Sequence, residues 1–328
     1  MVRIRQRARF AIDFPRLAWE LRRIYRDRTP AIIHTWLPHA NITGLLAARA
    51  WPETRVIVTQ CGGAGEELFY PFQIRVQRAL LGRADHAISN STDGVHALAR
   101  WGVDKGSISL VGNGISPDRV ALESDRDEVR DKLGICSDVP VVAVATRLND
   151  RTAVQQKNLA GIVAAMERVR ATSPEARLLV VGATCEQLAR FQLDLPGWAS
   201  TTGFVSRPAD YLAASDVVAI PSRSEGMSNV ACEALSLGLP VVTTDVGDHA
   251  ALVEAAGGRR VPVGDDGALA AGLIEMLRAP PTPERVREVA APRLTLDRMV
   301  EATSEVYRAA TYQSNVRRRP SRTSISGS

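Results

Sequence analysis

Aromatic side chains are scarce, 5% of 328 residues, and no two cysteines stand at the C-x-x-C spacing that structural zinc sites use. Cys61, Cys136, Cys185 and Cys232 are scattered singly, so neither a disulfide framework nor a metal site is indicated, and a reducing cytoplasm suits the chain. No run of about 18 apolar residues occurs to span a membrane, and no secretory leader pattern opens the sequence. Nucleic-acid signatures are also missing. With so few rings for base stacking, the net charge of +5 does not make nucleic acid the expected partner. Arginines at the two ends supply much of that excess and the middle is nearly balanced, which points to anionic phosphates, or to peripheral contact with an anionic membrane surface.

What is present is a soluble globular composition, 45% apolar and 23% charged, in a chain longer than one hydrophobic core usually serves. Short runs of Val and Ile alternate with helix-period stretches, the pattern of parallel strands joined by crossover helices in an α/β protein. Strands are expected at 31–34, 55–60, 87–90 and 107–111, and helices at 14–26, 43–50, 71–81 and 93–101. The turn-rich Gly112-Asn113-Gly114-Ile115-Ser116-Pro117 and the charged stretch 123–132 read as a linker. A second alternation opens with 140–146, nearly continuous in Val and Ala as a strand buried on both faces is. It continues through a helix at 159–171 and strands at 177–181, 200–204, 217–221 and 240–244. The expected units are a first domain over 1–115, a linker over 116–138, a second domain over 139–295, a closing helix over 296–311 and a disordered basic tail over 312–328. Met299, Ala302, Val306 and Ala309 should form the buried stripe of the closing helix.

The chemistry concentrates in Ile220-Pro221-Ser222-Arg223-Ser224-Glu225-Gly226-Met227-Ser228-Asn229-Val230-Ala231-Cys232-Glu233-Ala234. A strand ends, a loop of small polar residues follows, and a helix starts near Asn229. Free backbone N–H groups and the positive end of the helix dipole therefore converge in a phosphate cradle. Gly226 allows close backbone approach, while Ser228 and Asn229 cap the helix or donate to phosphate oxygens. Glu225 and Glu233 bracket the cradle, placed to accept hydrogen bonds from sugar hydroxyls. Arg147 stands at the end of the strand Val144-Ala145-Thr146, and Lys157 just before a helix in Gln156-Lys157-Asn158-Leu159. Both cations reach the same cleft, where they offset the charge that builds on phosphate oxygens when a bond to diphosphate breaks. Singly, each is an ordinary surface charge; their grouping is what carries information.

The constellation resembles the E-x7-E signature of the family-4 retaining glycosyltransferases, whose GT-B fold pairs two Rossmann-like domains. The resemblance implies an enzyme of hexosyltransferase type that moves a sugar, with retention of configuration, from a nucleoside-diphosphate sugar to a saccharide or lipid-linked acceptor. No metal or other cofactor is expected. It implies Glu225, Arg147 and Lys157 as the catalytic set, the acid on the sugar and the cations on the diphosphate, with Glu233 on the ribose. Gly226, Met227, Ser228, Asn229 and Val230 would hold the phosphates. Gly203, Phe204 and Val205 would line the base pocket, with a purely structural turn as the competing reading. Thr146 stands where the family usually has Gly, and the stretch from Arg147 to Lys157 is long and holds a further cation, Arg151.

In the first half, His34 and His39 in His34-Thr35-Trp36-Leu37-Pro38-His39-Ala40-Asn41 are each either a sugar contact or a satisfied structural imidazole. Gln60-Cys61-Gly62-Gly63-Ala64-Gly65 reads as an active-site loop or as plain linker, and Asn90-Ser91 and Gly112-Asn113-Gly114 resemble family motifs at strand ends. Relatives begin with strands and a Gly-rich turn that precede the segment matching 14–26. The expectation is therefore an incomplete N-terminal domain with an open edge near Ala31. A catalytically weak or inactive nucleotide-sugar-binding protein is the alternative function, and a sugar-nucleotide epimerase a weaker one. The expected location is the cytoplasm, at the inner membrane face if the acceptor is lipid-linked.

Overall fold

The computed structural model describes residues 10–26, 29–63, 65, 71–147 and 151–317. Among the described residues, ten strands fall into two wholly parallel sheets. The first has the order β1-β2-β3-β4, from β1 (Ile32–Trp36), β2 (Arg55–Gln60), β3 (His86–Ser89) and β4 (Ile108–Leu110). The second has the order β10-β9-β8-β5-β6-β7, from β5 (Val141–Ala145), β6 (Arg177–Val181), β7 (Ala199–Thr201), β8 (Val217–Ile220), β9 (Val241–Thr244) and β10 (Arg259–Val261). The helices accompanying the first sheet are α1 (Phe10–Ile24), α2 (Leu37–Ala47), α3 (Pro71–Leu80) and α4 (Thr92–Arg100), followed by α5 (Pro117–Val120) and α6 (Arg126–Lys132). Around the second sheet lie α7 (Arg151–Gln156), α8 (Leu159–Arg170), α9 (Cys185–Arg190), α10 (Ala209–Ala213), α11 (Asn229–Leu237), α12 (His249–Ala255), α13 (Asp266–Arg278) and α14 (Pro283–Ala290), and α15 (Leu296–Arg317) closes the fold.

Strand periodicity sorts the two cores. In the second sheet Val142, Val144, Leu178 and Val180 point to one face and pack with Ile162 and Met166 of α8 and Leu273 of α13. Val141, Ala143, Leu179 and Val181 point to the other, against Ala231 and Leu235 of α11 and Val253 of α12. Burial on both faces explains the continuous apolar runs, and each fully buried aliphatic side chain contributes about 1.5–3 kcal/mol. In the first sheet Val56, Val58 and Ala87 face Leu45, Leu81 and Leu98, while Ile57 and Ile88 face Val306 and Ala310 of α15.

The closing helix thus belongs to the first domain: after the second domain the chain crosses back, and Met299, Ala302, Val306 and Ala310 seat on the first sheet. Ala310 replaces the expected Ala309, which is exposed. The helix continues to Arg317, past the expected start of the tail; residues 318–328 lie outside the described residues. The expected linker is structured as well. Arg130 of α6 is buried at 1% exposure and donates to the carbonyls of Ala214, Cys136, Ser137 and Val139 and to Asp216 Oδ2 at 2.9 Å. That docks α6 on the second domain, since an isolated buried guanidinium would be far costlier than one fully hydrogen-bonded. The strand expected at 200–204 ends at Thr201, leaving Phe204 71% exposed in the loop. The first described sheet has β1 at one edge, paired with β2 alone.

Candidate active site

In the second sheet the strand order reverses between β5 and β8, which carry the chain outward in opposite directions. Such a switch point leaves a crevice beyond the strand C-termini. Both sequence signals end there: Thr146 and Arg147 leave β5, and the loop 221–228 leaves β8 for α11. Ser228, extended at φ −71° and ψ 118°, is the N-cap of α11, its hydroxyl accepting from Ala231 N–H. The N–H groups of Asn229 and Val230, first in the helix, have no intrahelical acceptor and present the positive end of the dipole. They open on a cleft of about 480 Å3, walled also by Arg147, Lys157, Phe204, Val205, Met227, Ser228, Glu225 and Glu233.

The charges in this cleft are arranged in two pairs. Lys157, between α7 and α8, forms an ion pair with Glu225 Oε1, which also accepts from Ser222 Oγ at 3.1 Å. Glu233, one turn into α11 and 1% exposed, accepts on Oε1 from both Nε (3.0 Å) and Nη2 of Arg119. Its Oε2 is buried and has no hydrogen-bond partner in the protein. Burial pushes the Glu233 carboxyl above the usual range, and Arg119 opposes the shift. Beneath the loop, His249 is fully buried. Its Nδ1 accepts from Ser228 N–H at 3.5 Å, so Nε2 carries the proton toward Thr243 Oγ1 at 3.1 Å. Desolvation by burial holds this imidazole down to about 4.

The first domain closes directly on the same loop. A Cβ on Gly226 would stand 2.5 Å from Asn90 Oδ1 and 2.9 Å from Gly62 N, and one on Gly63 would stand 2.5 Å from the Glu225 carbonyl oxygen. Asn113 Nδ2 crosses the interface to donate to Met227 O at 3.0 Å and Asn229 Oδ1 at 2.8 Å. These contacts wall a second cavity of about 430 Å3, with Cys61, Gly62, Asn90 and Asn113 on one side and Glu225, Gly226 and Asn229 on the other.

Of the residues expected from sequence, Arg147, Lys157, Glu225, Glu233, Met227, Ser228, Asn229, Val230, Phe204 and Val205 come together in one cleft, and Gly226 lies in the adjoining cavity. Gly203 is absent from both walls and holds a left-handed turn, φ +69°, with its N–H on Ala183 O. The histidines also fall elsewhere. His34 bonds Tyr307 OH through Nδ1 and Thr59 Oγ1 through Nε2, each at 2.7 Å, fastening α15 to the sheet. His39, in the first turn of α2, packs on the Phe14 ring at 5.9 Å. Neither lines the cleft at α11 or the adjoining cavity. Gly62 and Gly63 lie against Gly226 and Glu225 at the interface; Ala64 lies outside the described residues. Sequence reading missed Arg119, placed in the linker, whose partner Glu233 lies 114 residues on, and His249, which stands outside the loop motif and reaches it through Ser228. Among the described residues no group of three or more His, Cys, Asp or Glu could hold a metal ion, and no helix is long and apolar enough to cross a membrane.

Residues 139–279 match the family described as "Glycosyl transferases group 1", and residues 2–119 match "Glycosyltransferase Family 4". A GDP-mannose-dependent monoacylated alpha-(1-6)-phosphatidylinositol monomannoside mannosyltransferase of Corynebacterium glutamicum is 32% identical over 174 residues, covering 49% of this chain and 44% of that protein. A D-inositol 3-phosphate glycosyltransferase of Rhodococcus erythropolis is 31% identical over 237 residues, 66% of this chain and 50% of the relative. The matched chain therefore spans half or less of the length of these curated relatives. Among solved structures, sucrose-phosphate synthase from Thermosynechococcus elongatus superposes with a TM-score of 0.77 at 21% identity, over 94% of this chain and 81% of the other. Anabaena HepE in complex with UDP and glucose gives 0.76 at 20%, over 92% and 84%. Those identities speak to the fold, two Rossmann-like domains of the GT-B type. The family matches on both halves, residues 2–119 and 139–279, place the chain among the group 1 and family 4 glycosyltransferases.

Proposed function

We propose that the chain transfers a hexosyl group, with retention of configuration, from a nucleoside-diphosphate sugar to a saccharide or lipid-linked acceptor, without a metal. The observation that carries this reading is the buried, unmatched Oε2 of Glu233 beside the open N-terminus of α11. An orphaned buried carboxylate oxygen costs about 1–3 kcal/mol or more unless a ligand supplies donors, and vicinal ribose hydroxyls are such donors. In this arrangement the diphosphate lies on the Asn229 and Val230 N–H groups, with Arg147 and Lys157 as its cations. Glu225, held by Lys157 and Ser222, accepts from hydroxyls of the transferred sugar. Phe204 and Val205 flank the base.

The acceptor hydroxyl oxygen bonds to the anomeric carbon on the face from which the diphosphate leaves. The electron pair of the breaking carbon–oxygen bond goes to the phosphate oxygen, which takes the hydroxyl proton. Fixed positive charge at that oxygen lowers the barrier. The Corynebacterium relative, named for action on a monoacylated phosphatidylinositol monomannoside, supports a lipid-linked acceptor, and with such an acceptor the reaction would take place at the cytoplasmic membrane face. Incubation with labelled UDP- and GDP-hexoses and a panel of glycan and lipid-linked acceptors tests the proposal. Retained anomeric configuration in the product, read by NMR, is expected; an inverted product, or donor converted to its epimer, overturns it.

A further inference from the structure

The segment after β9 touches the donor loop at three successive residues. Gly247 adopts φ +65° and leaves no room for a side chain, since a Cβ would collide with the Gly226 carbonyl oxygen. Asp248 N–H donates to that same carbonyl at 3.0 Å. His249 accepts from Ser228 N–H. The Asp248 carboxylate meanwhile reaches the other domain. Oδ1 accepts from Thr92 N–H at 2.9 Å, and Oδ2 accepts from the same N–H at 3.1 Å and from Thr92 Oγ1 at 2.9 Å. Thr92 is the first residue of α4, where a free N–H and the helix dipole favour an anion.

We propose that Asp248 is a positioning residue that couples closure of the two domains to the shape of the donor loop. Its main chain holds Gly226 from below while its side chain latches α4 from across the interface. The first domain presses on Gly226 from the opposite side through Gly62 and Asn90. Opening the domains breaks the latch and withdraws Gly62 and Asn90 from Gly226, leaving its peptide held from one side only. A nucleotide that needs the loop in its closed shape therefore binds more weakly once the latch is lost. The nucleotide part of this inference rests on the donor-cleft reading above.

Thr92→Pro is a clean probe. Proline at the first helical position removes both donors at no cost to the helix, and Ser91 before it is already extended (φ −149°, ψ 152°), as a residue preceding proline must be. Calorimetry of the full chain with UDP and GDP should show Asp248→Ala and Thr92→Pro each weakening binding about fivefold, the size of a partly exposed charge-assisted contact. The double variant should lose no more than either single, and Asp248→Asn, which keeps an acceptor oxygen, should recover part of the loss. Unchanged affinity in the single variants, or additive losses in the double, overturns the latch. Amide exchange without nucleotide supplies an independent reading: segment 224–229 should lose protection equally in both single variants, and retained protection overturns the proposal. Should the wild-type chain bind neither nucleotide, the donor reading fails by itself, and the exchange result alone still decides for or against the latch.

Discussion

Arg119→Met isolates the electrostatics of Glu233. The substitution keeps most of the aliphatic stem and removes both donors to Glu233 Oε1. Removing one partner of a buried pair costs about 3–5 kcal/mol in general, but Arg119 is 51% exposed, so solvent screening brings the expected loss to about 1–2 kcal/mol. The loss must also depend on pH. Burial already raises the Glu233 carboxyl and Arg119 pulls it down, so the variant raises it further. A carboxyl whose folded-state value exceeds its unfolded one binds more protons when folded, and stability then falls as pH rises through that range. Near pH 5 the acid of the variant can take a proton and needs no counterion, and the gap to wild type should be small. At pH 8.5 the charge is buried and uncompensated, and the gap should reach its full size, roughly 3 °C or more in a scanning melt. Glu233→Gln in the Arg119→Met background should abolish the pH dependence of the gap. A gap that is constant, or larger in acid, would refute the reasoning.

Three further outcomes follow from the same geometry. His249 is neutral in the fold and held to about 4 against an ordinary 6.5, so the unfolded state binds the extra proton first. Stability should decline by about 3 kcal/mol as pH falls from 6.5 to 4, and His249→Asn should flatten that limb of the melting-temperature profile. Gly226→Ala places a methyl against Asn90 Oδ1 and Gly62 N; transfer activity should drop at least about tenfold because the domains cannot seat, whereas thermal stability should change by no more than about 1 kcal/mol. Lys157→Met unpairs Glu225 and, under the proposed mechanism, removes a cation from the position where leaving-group charge builds. Steady-state kinetics should show kcat down about 100-fold or more, with a smaller change in donor KM.

Much of the second domain was legible because its strands are buried on both faces, so that apolar runs such as 140–146 and 177–181 stand out without any need for alternation. The geometry of the loop 221–228 was legible for a different reason: strand end, small polar residues, N-cap and acids all lie within one short stretch, and local spacing carries it. What escaped was non-local or polar. Arg119 meets Glu233 across 114 residues, a distance over which no periodicity operates. β10 begins with two exposed arginines, so a sheet edge carries little apolar signal. Pro38 marked the start of α2 near Leu37, ahead of the apolar repeat from which the helix was read, and α7 occupies part of what read as a loop between Arg147 and Lys157. The histidines show the limit of a local motif. His34 sits in a motif-like setting, yet both its ring nitrogens bind protein groups, which composition cannot reveal.

The central claim is that the N-terminus of α11, bracketed by Glu225 and Glu233, holds the diphosphate of a sugar nucleotide. Crystals soaked with UDP or GDP test it most directly. The account predicts phosphate oxygens within hydrogen-bond reach of the Asn229 and Val230 N–H groups and of Arg147 or Lys157, with ribose hydroxyls on Glu233 Oε2. Nucleotide bound elsewhere on the chain, with Glu233 Oε2 still unpaired, would contradict it.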